Sequence, residues 1–225
     1  MSGFAGIIDW SGSTVDKNSL DRIAQQLARH GGDASGTQAG DCFGLVHSAL
    51  FSTPESRGEV QPLSFGDTTW IVGDVRIDAR DELKDALKKA GRICEPGTPD
   101  ISLVLHAYSA WGEDCVRHLL GDFSFAVWNS ARRTLFCARD HFGIKPFYFF
   151  KNRNLFIFSN DLNAARSHPL VSGNLDDDAI CDYFAFGYNL NEATTSFTDI
   201  KRIPPGNSLT VTRESSPKFS SYRQF

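Results

Sequence analysis

The first residues able to do chemistry stand at the start of the chain. Ser2 follows Met1, and a small second residue is the context in which an initiator methionine is usually removed. Removal would leave Ser2 with a free α-amine beside its hydroxyl. Such an amine has a pKa of ~7.7–8.0, so much of it is neutral and basic near pH 7. An amine next to a hydroxyl or thiol is a nucleophile with a built-in base. The competing reading is an ordinary first strand that tolerates a serine, because Ser2-Gly3-Phe4-Ala5-Gly6-Ile7-Ile8-Asp9-Trp10 is apolar and glycine-spaced. Elsewhere the reactive side chains are scattered. His30, His47, His106, His118, His141 and His168 lack metal-ligand spacing and read as surface or packing histidines. The cysteines, Cys42, Cys94, Cys115, Cys137 and Cys181, are odd in number and include no C-x-x-C pair. Neither a zinc site nor a disulfide framework is indicated, and reduced thiols in a cytoplasmic protein are the simplest reading.

These residues need a scaffold, and the composition supplies one. A chain of 225 residues can bury a full core as one large domain. The formal net charge of −4, with no basic run, points away from nucleic acid and anionic membranes. No apolar run reaches the ~18 residues of a membrane span, and no signal-peptide pattern is present. The 18 phenylalanines fall largely in alternating runs, which favours sheet packed on sheet.

In chain order, the pattern predicts a strand at the N-terminus and a helix over 18–27, capped by Asp16 or Asn18 and stopped by a glycine C-cap at His30-Gly31-Gly32. A strand at 42–51, a polar loop over 52–62 and a strand at 68–75 follow. Helices are expected near 80–90, with Leu83 and Leu87 inward, and over 101–111, where Asp100 serves as the N-cap. A short helix or turn at 116–120 leads to a hairpin in which Phe123, Phe125 and Val127 share a face. A second hairpin spans 146–159 around Asn152-Arg153-Asn154. Helices at 161–167 and 176–186 and a last strand at 208–212 complete the pattern, and the serine-rich tail 215–225 reads as a domain end. Pattern alone supports an α+β fold of two antiparallel sheets with helices outside.

Four stretches carry a family resemblance. The first nine residues resemble Met-Cys-Gly-Ile-Ala-Gly-Ile, the start of glutamine-dependent asparagine synthetases. Leu27-Ala28-Arg29-His30-Gly31-Gly32-Asp33-Ala34-Ser35-Gly36 is similar to Leu-x-His-Arg-Gly-Pro-Asp-x-x-Gly. Leu119-Leu120-Gly121-Asp122-Phe123-Ser124-Phe125-Ala126-Val127-Trp128 resembles Leu-x-Gly-x-Phe-Ala-Phe-Ala-x-Trp. Ala138-Arg139-Asp140-His141-Phe142-Gly143-Ile144-Lys145-Pro146-Phe147-Tyr148 resembles Ala-Arg-Asp-x-x-Gly-x-Lys-Pro-Leu-Tyr. The chain thereby resembles a class II glutamine amidotransferase domain over 1–225. That resemblance implies a four-layer αββα sandwich, the N-terminal-nucleophile hydrolase fold. Gly121, Asp122, Arg139, Asp140, Gly143 and Pro146 read as fold-keeping residues.

The resemblance also assigns a site. The family's nucleophile is an N-terminal cysteine, and here that position is Ser2. Leu45-Val46-His47-Ser48-Ala49-Leu50 matches Leu-x-His-x-Arg-Leu, so Ala49 stands where the family forks an arginine onto the substrate carboxylate. Arg29 and Arg57 are candidate substitutes in space. Ile71-Val72-Gly73-Asp74-Val75 matches Phe-Asn-Gly-Glu-Ile: the Gly73 N–H keeps one oxyanion donor, and Val72 replaces the asparagine that supplies the other. Asp100 keeps the place of the aspartate that holds the substrate ammonium, and an N-cap role suits it equally. No metal site is implied.

The family's activity is glutamine-hydrolysing asparagine synthesis, used in asparagine biosynthesis. Here the expectation is a degenerate, pseudoenzyme-like glutaminase domain. Its role would be structural, or docking to an ATP-dependent synthetase domain or chain. The stretch 73–83 also resembles lasso-peptide macrolactam cyclases. A Ser-Gly-Gly-x-Asp-Ser ligase loop is missing, so ATP and magnesium would belong to that synthetase partner and no cofactor to this chain. Glutamine or another amide is the expected small ligand. The alternative is an active N-terminal-serine amidohydrolase acting on an amide other than free glutamine.

Overall fold

The computed structural model describes residues 1–214 and 216–222. Two six-stranded antiparallel sheets stack face to face. In chain order the elements begin β1 (Gly3–Asp9), α1 (Lys17–Leu27), β2 (Ala34–Ala39), β3 (Phe43–Ala49), β4 (Leu63–Phe65), β5 (Thr69–Ile77), α2 (Arg80–Lys89) and α3 (Asp100–Trp111). A 3-10 helix at Gly112–His118 leads to β6 (Gly121–Asn129), β7 (Thr134–Arg139), β8 (Tyr148–Lys151), β9 (Leu155–Ser159), α4 (Leu162–Arg166) and α5 (Asp177–Phe186). The strands β10 (Lys201–Arg202), β11 (Asn207–Val211) and β12 (Lys218–Ser221) close the order. One sheet runs β10-β8-β9-β1-β3-β2 and the other β12-β11-β7-β6-β5-β4.

Strand alternation builds the layers. In β1, Phe4 and Ile8 face the other sheet and Ala5 and Ile7 face α1. In β6, Ala126 and Trp128 point between the sheets, while Phe123, Phe125 and Val127 point outward onto α2 and α3. The aromatic-rich middle layer includes Phe147, Phe156 and Phe158, each fully buried. The four-layer αββα order implied by the resemblance is the order found.

Local differences have physical reasons. The first helix starts as expected, with the Asp16 carboxylate accepting the N–H groups of Asn18 and Ser19, but it ends at Ala28 without a glycine cap. Gly31 serves another purpose: a Cβ there would sit 2.1 Å from the Ala49 carbonyl oxygen, so it lets the chain pass close against β3. The third helix begins one residue early, at Asp100, with Pro99 as its cap. The tail is partly a strand: β12 pairs with β11, and Tyr222 is buried with its hydroxyl donating to the Arg139 carbonyl. Ser215 and 223–225 of that tail lie outside the described residues.

The loop between β7 and β8 bridges the two sheets and is held by two charged residues. The Arg139 guanidinium donates to the carbonyls of Lys145 (2.8 Å), Gly143 (2.6 Å) and Ile203 (2.8 Å). The Asp140 carboxylate accepts the N–H groups of Phe142 (3.1 Å), Ile144 (3.0 Å) and Lys145 (2.9 Å). Gly143 sits there at φ +70°, a conformation few side chains adopt. These contacts support the fold-keeping reading of Arg139, Asp140 and Gly143.

Candidate functional site

Ser2 enters β1, a central strand, and its position is fixed from both sides. Asn160 donates from Nδ2 to the Ser2 carbonyl (2.7 Å) and accepts the Phe4 N–H on Oδ1 (2.8 Å). The Ser2 hydroxyl accepts the Leu50 N–H at 3.1 Å. Beside this clamp, His30 Nε2 meets Asp161 Oδ2 at 2.5 Å, tying the end of α1 to the start of α4. His30 is therefore a hydrogen-bond partner of Asp161, a role its sequence context did not reveal. Met1 is exposed.

A small cavity of about 60 Å³ opens over Ser2. Its lining includes Glu59, Asp74, Arg76 and Lys145. Lys145 Nζ pairs with Asp74 Oδ2 at 2.8 Å, and both side chains are largely buried. Arg76 is half-exposed and shared between Asp78 (3.1 Å) and Asp122 (3.4 Å). Glu59 has no cation within ion-pair distance among the described residues. Burial pushes its carboxyl up to about 7, and nearby Asp74 adds to the rise, while a hydrogen bond from Gln61 opposes it. Sequence reading missed Glu59 because it lies in the polar loop 52–62, where no periodicity marks a buried side. His47, deeper on β3, is held neutral by burial, which lowers its pKa to about 4.

The expected oxyanion position is already furnished from within. Gln61 accepts the Gly73 N–H on Oε1 (2.7 Å) and donates from Nε2 to the Gly73 carbonyl (3.0 Å) and to Glu59 Oε1 (2.6 Å). Val72 is fully buried between the sheets and offers only methyl groups. Ala49 is buried at the end of β3. Neither Arg29 nor Arg57 lines the cavity over Ser2; the cations there are Arg76 and Lys145. Asp100 is buried in a different arrangement. Its Oδ2 accepts the Ile77 N–H (2.9 Å), and its Oδ1 pairs with Arg80. Its side chain makes no cap hydrogen bond to α3. The structure thus gathers Ser2, Glu59, Asp74 and Lys145 around one cavity and leaves Ala49, Val72 and Asp100 outside its lining. A hydroxyl and a carboxyl raised toward neutrality line the same cavity, and these are groups of the kind that proton transfer uses. Among the described residues that line the cavity, Arg76 is the one guanidinium and no amide side chain is present. Among the described residues, no group of three or more His, Cys, Asp or Glu could hold a metal ion, and no helix is long and apolar enough to cross a membrane.

Comparison with known proteins adds to this geometry. A family model described as a glutamine amidotransferase domain matches residues 1–223. Asparagine synthetase (glutamine-hydrolyzing) 3 of Bacillus subtilis is 32% identical over 218 residues, covering 95% of this chain and 35% of that protein. A putative asparagine synthetase (glutamine-hydrolyzing) 2 of Methanocaldococcus jannaschii is 29% identical over 84% of this chain and 40% of its own length. The chain therefore spans little more than a third of the curated relatives it matches. In structure it is similar to the glutamine phosphoribosylpyrophosphate amidotransferase of B. subtilis. The TM-score is 0.65 at 13% identity, over 99% of this chain and 50% of that one.

Proposed function

The chain belongs to the glutamine amidotransferase domain family, and from that premise we propose that it is the glutaminase-like domain of an asparagine-synthetase-like amidoligase in which hydrolysis of free glutamine is impaired or lost. Its remaining part is structural, as the domain against which an ATP-dependent amide-forming domain or chain docks. ATP and magnesium belong to that partner. The observation that carries the reading is the absence of a free oxyanion donor: Val72 is apolar and buried, and the Gly73 N–H is bonded to Gln61. Loss of one such donor costs about 2.7–4 kcal/mol, or roughly 10²–10³ in turnover. The cavity over Ser2 supports the same reading, since about 60 Å³ falls far below the roughly 300–1,000 Å³ of ligand pockets. The resemblance of 73–83 to lasso-peptide cyclases favours that branch of the family, and the free thiols suit a reducing cytoplasm. Calorimetric titration with glutamine, paired with an ammonia-release assay, tests the proposal. Weak or absent binding and background ammonia are expected; tight binding with turnover overturns it.

One observation favours a second reading, that Ser2 hydrolyses an amide lacking a free α-carboxylate. Glu59, pushed up to about 7 in the same cavity, would protonate the leaving amine as general acid, while the free Ser2 α-amine takes the hydroxyl proton as base. The free Ser2 amine would be needed, so a retained Met1 in the intact mass rules this reading out for the isolated protein. With Met1 removed, mass spectrometry after incubation with a panel of amides decides between the two.

A further inference from the structure

The helix α5 is unlike the other helices in how little of it is covered. Ala179 is its only fully buried residue. At its C-terminal end Tyr183 (62% exposed), Phe184 (84%), Phe186 (56%) and Tyr188 (62%) stand in solvent. The rings form two touching pairs, Tyr183 with Phe184 and Phe186 with Tyr188, each with centroids 6.5 Å apart. Leu190 (55%) extends the patch. Aromatic side chains carry about 150–250 Å² each, so these four rings alone leave on the order of 500 Å² of apolar surface in water. That is near the upper range for the largest patch of an ordinary monomer, about 300–600 Å². It is also more than half of the roughly 800 Å² that one partner buries in a standard interface. The geometry is not that of a loop in transit, because Gly187 closes the helix at φ +80° and Asp182 accepts the Leu190 N–H at 3.0 Å. The aromatic end is held in shape.

We propose that the aromatic end of α5 is the surface on which the ATP-dependent amide-forming domain seats, through an apolar groove with a basic rim. The inference rests on the docking role proposed above and names its surface. The length comparison provides the occupant: the asparagine synthetases similar to this chain carry nearly two-thirds of their length outside the matched region. Charge selects the rim. Asp177 and Asp178 are exposed in the first turn of α5, whereas Asp176 before them is engaged as the helix N-cap, accepting the Ala179 N–H at 3.1 Å. A second copy seated with its α5 parallel would bring these carboxylates against their like, which costs several kcal/mol when unrelieved. A basic rim would meet them favourably.

The exposed thiol of Cys181 reads out the face directly, since it lies one turn before Phe184 and is free. Alkylation by iodoacetamide, followed peptide by peptide, is compared for the chain alone and for its complex with the ATP-dependent domain that its own genome joins to it or encodes beside it. In the complex, Cys181 should react about tenfold or more slowly, because thiol reactivity follows access. Phe184→Glu should abolish complex formation while leaving the thermal midpoint of the isolated chain unchanged, as its ring makes little contact with the fold. A complex that forms with Cys181 unprotected, or that tolerates Phe184→Glu, overturns the α5 surface but leaves the docking role standing. Failure of any such domain to bind overturns both. Protection of Cys181 in the chain alone, rising with its concentration, would assign the face to a second copy and overturn the proposal.

Discussion

Replacing Glu59 with glutamine isolates the energetic cost of the site. Glu59 is mostly buried, and its carboxyl titrates at about 7 rather than 4.5. Between those values the folded chain holds a proton that the unfolded chain has released. Stability associated with Glu59 is therefore complete below pH 4.5 and is lost as pH rises through 7. A displacement of about 2.5 units corresponds to about 3 kcal/mol at pH 8. Glu59→Gln keeps the shape, and its side-chain oxygen can still accept from Gln61 Nε2, which the carboxylate now accepts at 2.6 Å. It cannot ionise. The variant and the parent should match in stability near pH 4.5, and the variant should lead by about 3 kcal/mol at pH 8. For a chain of this size that is a rise of roughly 6–12 °C in Tm. His47 imposes the opposite slope, since a histidine held near 4 by burial costs stability as pH falls from 6.5. That slope is common to both proteins and cancels in their difference. Urea unfolding followed by tryptophan fluorescence at pH 5, 6, 7 and 8 gives the comparison. A difference that stays flat with pH would mean that Glu59 is solvated in the folded protein, and the account of the cavity would fail.

Three further outcomes are expected. Phe125→Ala should cost ~3–5 kcal/mol in denaturant unfolding, since Phe125 is fully buried and packs on Phe123 and Phe136; an unchanged midpoint would mean that its strand register is wrong. Ser2→Cys, with Met1 confirmed absent, should release no ammonia from glutamine above background, because a better nucleophile brings neither an oxyanion donor nor a carboxylate clamp. Adding Ala49→Arg and Val72→Asn should be required and the changes should act non-additively; brisk turnover by the single variant would show that only the nucleophile had been lost. Arg139→Lys should destabilise by about 2–6 kcal/mol, since a lysine cannot serve three carbonyls in the fork's geometry and each one left unpaired costs about 1–3; a neutral result would refute the bridging role of that guanidinium.

The layers were legible because they are written in side-chain alternation. Phe123, Phe125 and Val127 declare one face of β6, and Leu83 with Leu87 declares the inner side of α2. The edge strands were not legible. β2, β4 and β12 sit at sheet borders and are polar or short, and β12 is exposed along its whole length, so backbone ladders order them rather than burial. The site divides in the same way. Motif positions pointed to Ser2, Ala49, Val72 and Gly73, of which the cavity lining includes Ser2, and no pattern announced that Gln61 reaches across to Gly73 or that Glu59 turns inward. Asp100 shows the limit of position alone: the motif marks the residue, and its two oxygens are given to Ile77 and Arg80.

The bridge at Arg139 and Asp140 bears on how the molecule opens. The segment 141–147 has no ladder of its own, so its amides would ordinarily exchange with solvent hydrogen as fast as those of any loop. Yet the N–H groups of Phe142, Ile144 and Lys145 end on one carboxylate, and the adjoining guanidinium holds carbonyls at 143, 145 and 203. Releasing those amides means breaking the junction that fastens β7 of one sheet to β8 of the other. They should therefore exchange at the rate of global opening, alongside β6. The two sheets would then come apart as one cooperative unit, with no partially open form in which one sheet survives the loss of the other.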